Sequence, residues 1–389
     1  MRTQVGIVGA GPAGLMLAQL LHLEGLESVI VEARDREYVE KRVRAGLLEQ
    51  NTVDLMIDAG VGDRLQREGL HHGGIYLRTP AWTHHIDMQA LAGRAIWIYG
   101  QQEVVKDLIN ARLESGGDLF FESSDVAVHD IESDRPRVTF THGGTEHELE
   151  CDVIAGCDGF HGICRPSVPD RVLTTYERIY DFAWLGILAE AAPSTDELIY
   201  AWHPNGFALY SMRSPTVSRL YLQVPADENA DDWSDDRIWS ELQMRMASEG
   251  WQVGEGPIFD KGVTPMRSFV CEPMRHGRLF LTGDAAHIVP PTGAKGLNLA
   301  MHDVWVLCDA LSGWLKRGDT SGIESYSEVA LRRVWRAQDF SNYMTTLLHR
   351  FDTGPFDEKV QLGRLEYVRR SEAAAKSLAE NYAGLPFGW

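Results

Sequence analysis

Gly9-Ala10-Gly11-Pro12-Ala13-Gly14 stands between an apolar run, Gln4 to Val8, and a stretch of helical spacing from Pro12 to Glu24 in which Leu15, Leu17, Leu20 and Leu21 recur. Gly25 suits the end of that helix, and Ser28 to Val31 reads as a second strand ending at Glu32. Strand, glycine turn, helix and strand make one βαβ unit. The first glycine permits a tight turn, the second lets backbone approach a pyrophosphate, and the third packs helix on strand. Amides at the helix start, with the helix dipole, attract phosphate charge. The Glu32 carboxylate can accept hydrogen bonds from both hydroxyls of a ribose. The unit therefore predicts a dinucleotide site at Gly9, Gly11, Gly14 and Glu32, and by itself it serves NAD as well as FAD.

Thr3 to Leu23 carries no formal charge, as a targeting segment or anchor would. Its glycines and Pro12 interrupt the middle, which a hydrophobic helix tolerates poorly. Further strands, Cys151 to Ala155 and Arg278 to Thr282, end in Cys157-Asp158-Gly159 and Gly283-Asp284 turns far along the chain. One domain is thus assembled from separated stretches. Between them the pattern turns to alternating strands, and after Gly296 to long helices. The expected fold is α/β (α+β): a Rossmann-like domain over 1–170 and 266–300, an inserted antiparallel-sheet substrate domain over 171–265, and a helical region over 301–389. The run Ala226 to Asp236 is expected as a solvated loop leading into a surface helix, and Asn381 to Pro386 as a terminal loop.

The 389 residues carry a net charge of -19, which repels nucleic acid and anionic membranes. Five cysteines without a C-x-x-C pair point to reduced thiols in the cytoplasm, and the histidines stand in no metal-ligand frame. No metal, nucleic acid or membrane partner is expected.

Asp284, directly after a strand, decides between the dinucleotides. An aspartate there can accept from the ribityl hydroxyls of a flavin, which NAD lacks; its plain alternative is a turn residue. Gly296-Leu297-Asn298 open a helix whose first amides could face the flavin pyrimidine ring, where charge collects on reduction. The segment from Arg34 to Arg44 holds five basic and three acidic residues, so that some of its arginines meet phosphate or simply form a solvated face.

A second site is legible in the alternating strands. Phe207, Leu209, Ser211 and Arg213 share one face, as do Arg219, Tyr221 and Gln223, while Leu220 and Leu222 point away. Arg213 could clamp a carboxylate bidentately with Ser211 and Tyr221 donating beside it. The alternative is the solvent face of a hairpin. Trp202 and Tyr210 are expected to stay out of this pocket.

The blocks 42-Arg-Val-Arg-Ala-Gly-46, 156-Gly-Cys-Asp-Gly-Phe-His-Gly-162, Gly283 to Ala300, and Glu380-Asn381-Tyr382 with Gly384-Leu385-Pro386 occur in an order that resembles the group A flavoprotein aromatic hydroxylases nearly end to end. The resemblance implies FAD, NADPH or NADH as reductant, dioxygen, and a homodimer. It implies 4-hydroxybenzoate as substrate, hydroxylated at C3. Ser211, Arg213 and Tyr221 would bind the carboxylate, and Tyr200 and Tyr382 would meet the phenol and relay its proton. His72 would end that relay, and the Pro291 carbonyl would help hold the hydroxyl. Arg42, Arg44, Gln101, Asp158 and Arg219 would join Asp284, Gly296, Leu297 and Asn298 at the cofactor. A hydroxylase of another phenolic acid, or a flavin electron-transfer module, remains open.

Overall fold

The computed structural model describes residues 1–42 and 46–388. Its first sheet is built on the glycine-loop strand, Arg2–Val8, which pairs in parallel with Ser28–Val31 on one side and Thr145–Gly156 on the other. The strand Leu279–Leu281 adds in parallel beside Gly156, so three strand ends meet at one edge of the sheet. Strands buried on both faces read as continuous apolar runs, as Ser28–Val31 does. The helix Pro12–Leu23 follows with Pro12 at its start and Gly25, at φ 69, past its end. Its buried residues include Gly14, Leu15, Leu17 and Leu21.

The second sheet has eight strands, and all its pairings are antiparallel except that of Ile199–Ala201 with Gly74–Thr79. It draws on more of the chain than 171–265, taking Gly74–Thr79 and Trp82–Asp87 at one edge and His287–Ile288 at the other. Hydrophobic pattern hides those two early strands, because Tyr76 stands between Ile75 and Leu77 where alternation calls for a polar residue, and His84 between Trp82 and Ile86 where it calls for an apolar one. The charged Arg78 is nevertheless buried: its guanidinium stacks 4.1 Å from the Trp251 ring and donates to the Met246 carbonyl.

The loop predicted from Ala226 holds one short 3-10 turn before the helix Asp235–Arg245, capped by Ser234. Long helices follow Gly296 as expected: Gly296–Arg317, Ser321–Leu348, Pro355–Arg370 and Glu372–Ala383. The terminal loop begins later than expected. Asn381, Tyr382 and Ala383 form the last turn of a helix rich in alanine, glutamate and lysine, and Gly384 at φ 86 ends it. No helix among the described residues is long and apolar enough to cross a membrane.

Buried histidines join the substrate sheet to these helices. His349 Nε2 lies 2.6 Å from the Trp184 indole nitrogen, and its Nδ1 lies 3.0 Å from the Thr345 carbonyl. Burial pushes His349 down to about 3 and His72 and His302 down to about 4. Each is neutral in the folded state while its unfolded counterpart protonates near 6.5, so stability is lost as pH falls from 6.5 toward these values, by at most about 1.4 kcal/mol per pH unit for each group. His287, held above its ordinary value by Asp303, does not add to that loss. The urea midpoint should therefore fall between pH 6.5 and 5; in His349→Gln the fall should be shallower, and an unchanged slope would remove His349 from the account.

Candidate functional site

The glycine loop is shaped by contacts that exclude side chains. A Cβ on Gly14 would stand 2.1 Å from the Gly9 carbonyl oxygen, and one on Gly9, itself at φ 104, would stand 2.5 Å from the Cys157 oxygen. Gly11 differs: a Cβ there would meet nothing closer than 4.0 Å, so the loop is open on the side where a pyrophosphate would rest. The Glu32 carboxylate accepts from the Ala10 amide at 2.7 Å and the Arg34 amide at 2.8 Å, which fixes its orientation at the loop.

Between Leu281 and His287 every residue is buried except Asp284, which is exposed at the strand-end edge. Asp284 is thus the exposed carboxylate of an otherwise buried turn. Gly296 is likewise open, at the start of its helix. The Asn298 side chain is spent on protein: its Oδ1 accepts from the Glu49 amide and the Thr52 hydroxyl, and its Nδ2 donates to the Leu47 and Ala294 carbonyls. A cofactor contact there falls to backbone. Asp158 also turns inward, accepting from the Cys164 amide at 2.8 Å, and its Oδ1 is buried without a partner. Burial raises its carboxyl above the usual range. Gln101 begins the helix Gln101–Glu114, and Arg42 is exposed 6.0 Å over the Tyr38 ring. Arg44 lies outside the described residues.

The predicted alternation of the substrate face is present. Tyr200 pairs with Leu209 and Leu209 with Tyr221, forming one row across three strands, and Ser211 pairs with Arg219 in the next row. Leu220, Leu222, Tyr210 and Met212 are buried on the other side. The Tyr210 hydroxyl bonds near Ser194 and Ser218, and the Trp202 indole donates to Gln361 at 2.6 Å, so both rings are engaged elsewhere. A cleft of about 500 Å³ beyond Trp202 shares none of the candidate residues.

Arg213 is half-buried, 3.4 Å from Gln102 Oε1, and a Cβ on Gly46 would stand 2.8 Å from its Nη1. Burial, helped by the charge of Arg219, pushes its guanidinium down to about 10. It still carries its charge at neutral pH, at a desolvation cost that an anion would offset. Arg219 lies 5.1 Å over the Tyr221 ring.

Tyr200 and Tyr382 are fully buried with their hydroxyl oxygens 2.5 Å apart. Burial raises both phenols above their ordinary value, so both stay protonated. His72 is buried in the short strand Leu70–His72, and its Nδ1 has no partner. No described contact joins it to the tyrosines. The Pro291 carbonyl accepts from the Ala294 amide, which leaves it one lone pair, and Ala294 stands at φ 53, a strained conformation for a residue with a side chain.

Composition did not reveal what stands behind Tyr382. The buried Lys295 Nζ donates to Glu49 at 2.5 Å and to the Tyr382 carbonyl at 2.9 Å, and Arg333 reaches the other Glu49 oxygen at 2.8 Å. Burial opposes the charge on Glu49, yet Lys295 and Arg333 outweigh it and hold the carboxyl below its usual range. Burial pulls Lys295 down despite Glu49. The one available signal was a lysine inside the glycine-rich run 293–296.

A family model described as an FAD binding domain matches residues 2–341. A p-hydroxybenzoate hydroxylase of Acinetobacter baylyi is 51% identical over 390 residues, covering 100% of this chain and 96% of that protein. A rifampicin monooxygenase of Rhodococcus hoagii is 28% identical over 83% of this chain and 67% of its own length. The crystal structure of p-nitrophenol 4-monooxygenase from Pseudomonas putida superposes with a TM-score of 0.82 at 16% identity, covering 98% and 99% of the two chains. The chain belongs to this family of FAD-binding proteins, as a group A flavoprotein aromatic hydroxylase. FAD is its cofactor and NAD(P)H its reductant.

Removing Glu49 while leaving its partners strands buried positive charge. Glu49→Leu should cost about 3–5 kcal/mol of unfolding free energy in denaturant titrations. A loss below about 1 kcal/mol, the scale of a surface ion pair, would mean that the cluster is solvated.

Proposed function

We propose that the chain hydroxylates 4-hydroxybenzoate at C3 to 3,4-dihydroxybenzoate, using NAD(P)H and dioxygen, in the cytoplasm. The observation that carries this reading is a half-buried cation, Arg213, on the sheet face, with a buried pair of hydroxyls, Tyr200 on the same sheet and Tyr382 on the last helix, farther along it. Such a face suits a rigid ring bearing a carboxylate opposite a phenol. The printed name of the Acinetobacter relative supports the same substrate.

Arg213 takes the carboxylate, and Ser211 and Tyr221 donate beside it. The Pro291 carbonyl and Tyr200 hold the phenolic hydroxyl. Because burial keeps both tyrosines protonated, they pass a proton along their short hydrogen bond without storing the charge. His72, neutral and with an open Nδ1, accepts at the outer end. Ionising the phenol enriches the ring ortho to the oxygen, which directs hydroxylation to C3. The row of buried side chains around Tyr200 excludes water. FAD, when bound, would carry the reducing equivalents of NAD(P)H to dioxygen. Gly9, Gly11, Gly14, Glu32, Arg42, Arg44 and Gln101 serve its nucleotide side, with Asp284 at the ribityl chain, while Asp158 supports that side from behind by holding the Cys164 amide. Arg219 and the amides of Gly296, Leu297 and Asn298 face the ring.

The reductant site remains open to either nucleotide. Arg36 and Lys41 are each paired with a carboxylate one turn away, Glu40 and Glu37, while Arg34 lies over Tyr38. Purified enzyme supplied with 4-hydroxybenzoate should yield 3,4-dihydroxybenzoate in proportion to NADH or NADPH consumed; consumption without product would make the compound an effector and favour another phenolic acid. Arg213→Ala should bind substrate about a hundredfold more weakly while staying yellow. Tyr200→Phe should bind it normally and turn over about a hundredfold more slowly. Unchanged values in either variant would remove that residue from its role.

We place the homodimer contact on the helix Pro355–Arg370. Phe356 and Tyr367 are 77% and 63% exposed, and Val360 and Gly363 complete one stripe with them. The first turn is acidic and the last basic, so two copies packed antiparallel match in charge. Phe356→Glu with Tyr367→Glu should convert a dimer to monomer in light scattering, and an unaltered mass would move the contact elsewhere.

A further inference from the structure

Asp303 and His287 are both buried, at 0% and 1% exposure, and neither touches the proposed substrate face. One oxygen of Asp303, Oδ2, lies 2.8 Å from the Gly283 amide and 2.7 Å from His287 Nε2. The acceptor comes from the helix Gly296–Arg317, one donor from the turn Gly283–Ala285 that presents Asp284, and the other from the strand His287–Ile288 just after it. The bond therefore closes the chain from Gly283 to Asp303 into a loop. Asp284, Pro291, Gly296 and Asn298 all lie on that loop.

The turn is clamped from every other side as well. The Tyr326 hydroxyl donates to the Leu281 carbonyl at 2.8 Å, the Thr282 amide donates to the Gly156 carbonyl, and the Cys271 amide donates to the Ala286 carbonyl. Gly283 stands at φ 57, where a Cβ would press on Ala300 at 3.2 Å. Those contacts hold the flanks of the turn, and Asp303 holds the amide immediately before Asp284.

We propose that Asp303 is a positioning residue for FAD: by accepting from Gly283 and His287 it sets the direction of Asp284 and so determines how tightly the flavin is retained. The proposal rests on the reading of Asp284 as a ribityl acceptor. It requires a hydrogen-bond acceptor at position 303, and an amide oxygen fulfils that need. Asp303 Oδ1, which has no partner, becomes the amide nitrogen in Asn.

The test uses FAD affinity of reconstituted apoprotein, read from flavin fluorescence, together with melting temperatures with and without FAD. Asp303→Ala leaves two buried donors unsatisfied at the turn and should weaken FAD binding about tenfold or more. It should also shrink the rise in melting temperature that FAD produces. Asp303→Asn should restore affinity to within about threefold of the parent, since both acceptor bonds persist. If Asp303→Ala lowers both melting temperatures equally and leaves FAD affinity unchanged, the residue is only a structural support and the proposal fails. If Asn binds FAD as weakly as Ala, the acceptor argument fails too. Should Asp303→Ala not fold, the comparison of Asp303→Asn with the parent decides: affinity within about threefold supports the acceptor argument and a larger loss overturns it. Asp284→Ala keeps the two readings apart: wild-type affinity in that variant overturns the ribityl assignment, whereas its loss alongside normal affinity in Asp303→Ala overturns only the present proposal.

Discussion

The Glu49 carboxylate is the point at which three remote parts of the chain are tied. It receives Lys295 from the start of the 296–317 helix and Arg333 from the next helix, while Lys295 also holds the Tyr382 carbonyl near the end of the chain. A Cβ at Gly384 would stand 2.0 Å from Glu49 Oε2, so the backbone leaves the last helix pressed against that carboxylate. Burying such ions costs several kcal/mol each, and the cost is offset only where every partner is in place. A slip of any one segment would strand a charge. The cluster therefore selects a single arrangement of helix start, strand end and terminal helix.

That arrangement matters because the candidate reactive groups come from elements with few covalent neighbours in common. Tyr200 sits on a three-residue strand, and Tyr382 on the last turn of a separate helix. Their hydroxyls approach to 2.5 Å only if the terminal helix is seated correctly on the sheet. The Glu49 cluster seats the helix from one side, and the packing of Phe340 against Tyr382 from another. The Asp303 to His287 contact performs a parallel task on the cofactor side, joining the same 296–317 helix to a turn of the first sheet. Both tasks fall on one helix, whose N-terminus lies between the two candidate sites.

Local rules made much of this legible. The βαβ unit follows from glycine positions and leucine spacing, and its strand Ser28–Val31 appears at the expected residues. Alternation placed Ser211, Arg219 and Tyr221 on one face because a period of two follows from the strands alone, while the register shifts between Met212 and Ser214, at Arg213. Residues whose meaning is long-range were hidden. Glu49 and Lys295 are 246 positions apart, and no local pattern distinguishes a buried carboxylate from a solvated one. Gly384 and Pro386 make the ending, Tyr382 included, read as a loop, although the alanine-rich stretch before it propagates a helix up to Ala383. Asp158 read as a turn residue at a strand end; that it folds back under Cys164 depends on Gly162, whose missing Cβ makes room for it.

The electrostatics of the interior join the two halves of the proposed reaction. Burial alone makes an ionised phenol expensive, as the raised values of Tyr200 and Tyr382 register. The Glu49 cluster holds two cations against one anion, a net positive charge in contact with the Tyr382 backbone, and Lys295 Nζ is 5.9 Å from the Tyr382 ring. A neutral phenol gains little from this field, whereas a phenolate beside the two tyrosines gains from it. A site that is dry enough to protect activated oxygen would ordinarily suppress the ionisation that the ring needs. The buried cations reconcile the two requirements, and the carboxylate of Glu49 makes their burial tolerable.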